Sequence, residues 1–239
     1  PGVLKALGVR ALNIDMIEVD AQMLPTLAAI QATLEGGSRL LYLESPSRLT
    51  GAVYSADVVA QIAALAREFS ATVIWDQGLA PWADAYPSLA AHAPESTVVI
   101  GEAFPGSGLG SWHIGYIAAP EALIAPMQSQ KQIMAICTST AAQYAALEAG
   151  KLYRELQAGQ LARLRAVHQS ARAALGDAAI PGAALSLIAV RADRSQGILT
   201  RLDAAQLQAA DGADLGAPGV LRLSLSHDSA LLTQHLTGG

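Results

Sequence analysis

The most constraining feature of this chain is a set of short, β-branched apolar runs, each closed by turn residues and separated by segments of helical period. Leu40–Glu44 (LLYLE) follows the turn Gly36-Gly37-Ser38 and reads as a buried strand. Thr72–Trp75 (TVIW) and Thr97–Ile100 (TVVI) read the same way. His113–Ala118 (HIGYIA) is a fourth candidate. Between them, Met23, Leu27, Ile30 and Leu34 fall on one helical face, and so do Val58, Ile62, Leu65 and Phe69, with Ser55 placed to cap the second helix. Strands alternating with helices predict an α/β fold with a mainly parallel sheet and helices on both faces.

The pattern changes further along. Pro120-Glu121 is expected to open a long helix, with proline in the first turn and the acid at the positive helix end. Helical pattern then runs to about Leu175, with Gly159 as the expected weak point. Leu185–Val190 and Val220–Leu225 read as strands, and Ile198–Leu207 and Ser229–Leu236 as short helices. This predicts a large domain over residues 1–150 and a small α+β domain over residues 151–239.

Composition limits the partners. The chain has 239 residues, enough for a substantial core, and a formal net charge of -5 without a basic run. That argues against nucleic acid and against an anionic membrane surface. Its apolar stretches are short and interrupted, so none is expected to span a bilayer, and residues 1–20 carry no signal-peptide pattern. The single cysteine, Cys137, excludes an intrachain disulfide and is expected to be a buried small residue in a helix. A cytoplasmic setting is the expectation. The five histidines show no metal-ligand spacing, and the three tryptophans read as packing residues.

Four collinear stretches carry a family likeness. They are Ser45-Pro46-Ser47-Arg48-Leu49-Thr50-Gly51 after a strand, Val73-Ile74-Trp75-Asp76 as a strand ending in an acid, Gly108-Leu109-Gly110-Ser111-Trp112-His113-Ile114-Gly115-Tyr116, and Val220-Leu221-Arg222-Leu223-Ser224. Together they resemble the class I/II aminotransferases of the fold-type-I pyridoxal-phosphate superfamily, over nearly the whole chain. The resemblance implies that Asp76 pairs with the cofactor's pyridine nitrogen; as a bare residue it is also a strand-end acid capping the next turn. It implies that Arg222 forks onto a substrate carboxylate, although an exposed strand arginine would look the same.

Other devices of that family are altered. Arg48 stands where an asparagine normally bonds the ring hydroxyl, and Leu79 stands where a tyrosine normally does. The Schiff-base lysine position holds Pro105, and lysine occurs only at Lys5, Lys131 and Lys151. At the phosphate site Glu102 replaces a serine and His113 replaces an arginine. A carboxylate ~4 Å from a phosphate oxygen costs roughly 4 kcal/mol per pair of unit charges at an effective dielectric near 20. The family segment whose helix N-terminus holds the phosphate is expected to precede Pro1-Gly2.

The resemblance therefore implies an aminotransferase-like domain with pyridoxal phosphate as the family cofactor, bound here without a covalent anchor if bound at all. Cofactor contacts fall to Asp76, Arg48 and His113, the substrate carboxylate to Arg222, and no catalytic residue or metal ligand is assigned. The partners it implies are a small amino or carboxylic acid and a second subunit, in a homodimer or heterodimer. Three roles stay open: a transaminating enzyme, a non-catalytic ligand-sensing domain of a larger transcriptional regulator, and an inactive subunit paired with an active paralogue.

Overall fold

The computed structural model describes residues 19–107, 112–194, 197, 200 and 209–225. Its elements are α1 (Leu27–Glu35), β1 (Leu40–Glu44), α2 (Ala56–Glu68), β2 (Thr72–Asp76), β3 (Thr97–Glu102), β4 (Gly115–Ala118), α3 (Glu121–Ala135) and α4 (Thr140–Leu175). These are followed by β5 (Ala179–Ile180), β6 (Leu187–Arg191), β7 (Ala210–Asp211) and β8 (Val220–Ser224). Strands β1, β2 and β3 pair in parallel, and β4 adds antiparallel to β3. The α/β class and the mainly parallel sheet are therefore as expected.

Register decides which side chains form the core. Leu41 lies opposite Val73 and Leu43 opposite Trp75, so the four share one sheet face. Helices α1 and α2 cover that face with Ile30 and Leu34 and with Val59, Ile62, Ala63 and Ala66. Leu40 and Tyr42 point the other way and are 57% and 50% exposed, so β1 is not the fully buried strand expected. Its apolar run hides an ordinary alternation, because leucine and tyrosine occupy the outward positions.

Helix boundaries were partly legible. Ser55 caps α2 by accepting the Val58 N–H, as expected. The buried face is centred on Val59, Ile62, Ala63 and Ala66, however, and Val58, Leu65 and Phe69 lie at its margin. Met23 lies before α1, at φ 63°, with Thr26 as the actual cap. Pro120 sits at the N-cap of α3 rather than inside its first turn. The long helical run breaks at Ile136 (φ 48°), not at Gly159. Ser139 restarts it by accepting the Ala142 N–H at 3.4 Å. Gly159 has open space beside it, and a 36-residue helix absorbs its propensity cost of about 1 kcal/mol. Cys137 falls in the break and is exposed, contrary to expectation.

The second sheet is wholly antiparallel, in the order β5-β6-β8-β7. Leu164, Ala171 and Leu175 of α4 pack with Ile188 and Val190 of β6 and Leu223 of β8. Helix α4 runs unbroken across residue 150, and its second half belongs to this smaller core. Apart from Thr200, the helices expected at 198–207 and 229–236 lie outside the described residues. Two backbone bridges tie this unit to the first sheet's loop: the N–H groups of Ala183 and Ala184 both donate to the Gly51 carbonyl, at 2.8 and 3.0 Å. A third runs from the Leu185 N–H to the Trp82 carbonyl at 2.8 Å.

No described helix is long and apolar enough to cross a membrane. Among the described residues, no group of three or more histidine, cysteine or acidic side chains could hold a metal ion.

Candidate active site

The site lies at the carboxyl ends of the parallel strands, where open α/β sheets bind their ligands. Glu44 ends β1 beside Asp76, which ends β2, and Asp76 in turn lies opposite Ile100 of β3. Glu102 ends β3 opposite Gly115 of β4. A cleft of ≈ 450 Å³ opens over these ends, with Arg48, Asp76, Gly101, Glu102, His113 and Gly115 among its walls. Three of the four residues singled out as ligand contacts thus meet in one cavity, together with Glu102. Trp112, expected to pack, is 45% exposed beside His113.

The loop after β1 holds Arg48 in place through its own turn chemistry. The Ser47 N–H donates to the Ala52 carbonyl at 2.8 Å, and the Gly51 N–H returns to the Ser47 carbonyl at 2.7 Å. The Ser47 hydroxyl accepts from the Leu49 N–H at 3.2 Å. The Arg48 N–H donates to Glu44 Oε2 at 3.0 Å. With the backbone fixed, the guanidinium reaches over the end of β2.

There it meets Asp76. Arg48 Nη2 donates to Asp76 Oδ2 at 2.6 Å, and the Tyr42 hydroxyl donates to the same oxygen at 2.6 Å. The Gly78 N–H donates to Oδ1 at 2.9 Å. Asp76 is 2% exposed, whereas the Arg48 side chain is about half exposed. Burial pushes the Tyr42 hydroxyl far above the ordinary tyrosine range; its hydrogen bond to Asp76 and the Glu44 charge push the same way. Tyr42 therefore stays a donor. Burial pulls the Arg48 guanidinium down, but the Asp76 and Glu44 carboxylates outweigh it and raise the group overall.

Arg222, the fourth, is not among the lining residues of the cleft but reaches the Arg48 loop from the second sheet. It sits mid-β8, opposite Ala189 and Ala210, and its Nη1 donates to the Arg48 carbonyl at 3.1 Å. The first and fourth sequence motifs, 174 residues apart, are thus in contact. His113 adopts φ 50° at the mouth of the cleft. Leu79 caps a one-turn 3-10 helix, Ala80–Trp82.

The turn at Pro105, to which the sequence resemblance assigns the family's lysine, is packed. Pro105 is buried, and Phe104 before it lies edge-on to Tyr153 of α4, with ring centroids 5.3 Å apart. Gln160 of α4 donates to the Gly106 carbonyl. Burial, with Glu102 adding to it, pushes the Tyr153 hydroxyl up to about 12. Of the described lysines, Lys131 lies in α3, and Lys151 in α4 pairs with Glu148 at 2.6 Å. Neither lines the cleft.

Sequence reading missed Tyr42 and Glu44. The available signal was the i, i+2 spacing of Leu40, Tyr42 and Glu44, which sets all three on one strand face with the acid at the site end.

A parallel sheet with its cleft at the strand ends, an acid closing the central strand and an antiparallel unit delivering an arginine define a fold of the aminotransferase kind. The match to the family model for aminotransferase class I and II covers residues 7–236, and the chain belongs to that family. Among its relatives, YugH of Bacillus subtilis (strain 168), named as an aminotransferase, is 32% identical over 127 residues, covering 52% of this chain and 33% of that protein. Aspartate/prephenate aminotransferase of Thermus thermophilus is 28% identical over the same length. The fold matches Thermus thermophilus aspartate aminotransferase with maleate at a TM-score of 0.78 and 24% identity, over 90% of this chain and 59% of that one. It matches Thermotoga maritima aspartate aminotransferase at 0.79 and 20%, over 92% and 61%. The chain therefore spans a third of the length of the curated relatives and about three-fifths of the solved structures.

The family generally binds pyridoxal phosphate. The residues present do not fit it. Both Asp76 oxygens already accept from the chain itself, with a cation on the one that faces Arg48. Glu102 puts a carboxylate on the cleft wall, and no described lysine lines that wall.

Proposed function

We propose that this chain is a non-transaminating member of the aminotransferase family that binds a small dicarboxylate or amino acid in the cleft at the strand ends. The observation that carries the reading is the Arg48–Asp76 pair: the buried acid has its cation from within the chain, while a second arginine, Arg222, stands beside it. The proposal assigns Arg222 the ligand carboxylate, with its remaining N–H groups in the planar fork that suits one. Arg48 and His113 flank the ligand, and Asp76 orients Arg48. This favours the ligand-sensing role over transamination. The relatives' printed names, aspartate and prephenate aminotransferases, supply the ligand class as analogy.

Calorimetric titration with maleate or aspartate tests it. The expected result is saturable binding by the wild type, weakened at least tenfold by Arg222→Gln, about 1.4 kcal/mol. Wild-type protein with no measurable affinity for either ligand, or equal affinity in Arg222→Gln, contradicts the assignment.

A further inference from the structure

A buried carboxylate at a strand end needs a compensating donor set, and the structure shows which groups form it here. Asp76 is 2% exposed and accepts from Arg48 Nη2, the Tyr42 hydroxyl and the Gly78 N–H. In pyridoxal-phosphate enzymes the partner of such an acid is a protonated ring nitrogen. That partner and a guanidinium share three properties: planarity, positive charge and an in-plane N–H.

Arg48 is not a side chain that merely drifts into the space. Its amide is held by Glu44 Oε2 at 3.0 Å and its carbonyl by Arg222 Nη1 at 3.1 Å. Its Nε lies 3.8 Å from Glu44 Oε1. The guanidinium also lies against Gly78, where an added Cβ would sit 3.1 Å from Nη2. The backbone is thus clamped from both sheets, and the head group is aimed at the acid. A ring nitrogen approaching Asp76 Oδ2 would meet both the guanidinium and the Tyr42 hydroxyl.

We propose that Arg48 is a built-in replacement for a pyridinium: it occupies the cation position at Asp76 and thereby excludes pyridine-type rings from the cleft. This rests on the non-transaminating reading but makes a separate claim, since carboxylate binding at Arg222 could hold while Arg48 excluded nothing. Arg48 acts as a specificity-determining residue rather than a reacting one. The Asp76 carboxylate is then latent, able to take a ring cation once Arg48 is neutralised.

The test uses pyridoxine, whose lack of an aldehyde prevents Schiff-base formation with any lysine. Its affinity is measured by NMR titration on the wild type, Arg48→Asn and the double variant Arg48→Asn/Asp76→Asn, each checked by circular dichroism. The expected result is at least tenfold tighter binding by Arg48→Asn than by the wild type, with the gain lost in the double variant. Should Arg48→Asn not fold, Arg48→Gln also removes the charge, ends two atoms short of the Nη2 that reaches Asp76, and is expected to show the same gain. Pyridoxine affinity unchanged on neutralising Arg48 overturns the proposal. So does a gain that survives in the double variant, because it would not run through Asp76. Maleate titrations on the same wild-type protein report separately on the carboxylate reading.

Discussion

Trp75→Ala is expected to destabilise the chain by about 3 kcal/mol, read from urea-unfolding midpoints at unchanged m-value. Trp75 is fully buried on the central strand β2, immediately before Asp76. Its ring lies 5.9 Å from that of Tyr54, and its face of the sheet carries Leu43 opposite. Removing it leaves a cavity between the sheet and the two helices that cover it, and truncations of buried aromatics cost about 3–5 kcal/mol. The lower end is expected because the Trp75 indole N–H is buried without a partner among the described residues. Losing the ring also removes that unsatisfied donor, whose burial itself opposes folding by about 1 kcal/mol or more. The same argument makes Trp75→Phe much milder, at about 1 kcal/mol. A loss under 1 kcal/mol for Trp75→Ala would mean that β2 is not packed as described.

Gly182→Ala is the second large effect, expected at about 3 kcal/mol with weaker maleate binding. A Cβ on Gly182 would fall on the Thr50 carbonyl oxygen, a backbone atom that cannot swing aside. The adjoining Ala183 and Ala184 N–H groups donate to the Gly51 carbonyl. The strain therefore lands on the junction that sets the Arg48 loop against the second sheet. Overpacking of this kind typically costs about 1–3 kcal/mol, and a clash with fixed backbone belongs at the upper end. The binding loss is expected because a shift at that junction displaces the Arg48 loop whose carbonyl accepts from Arg222. Gly159→Ala, with open space at its Cβ, is the internal control and is expected to be neutral or stabilising. Equal stabilities of the two variants would contradict the junction.

How much of this was legible in the sequence depends on the range of the interaction. Strands β2 and β3 are β-branched runs between turn residues, and both appear where that pattern puts them. The Ser55 cap is a local signal and was readable for the same reason. The break at Ile136–Ser139 was hidden because no glycine or proline marks it; only the Ser139 cap does. Strand β1 misled because leucine and tyrosine hold its outward positions. At the site, the motifs located Asp76, Arg48, His113 and Arg222 along the chain, but not the Arg48–Asp76 contact. That pair spans 28 residues, and a charge pair between a loop and a strand end has no periodicity to betray it. Tyr42 escaped notice for a further reason: its role lies in the hydroxyl, while its sequence context marks only the ring.

On the proposed reading the cleft does not anchor pyridoxal phosphate, since no described lysine lines it and Arg48 holds Asp76. The most direct test is to mix the purified chain with pyridoxal phosphate, record the absorbance spectrum, reduce with borohydride and map any adduct by mass spectrometry. No aldimine band at stoichiometric cofactor and no adduct at a defined lysine are expected. A saturable aldimine band with one stoichiometric pyridoxyl-lysine would contradict that reading.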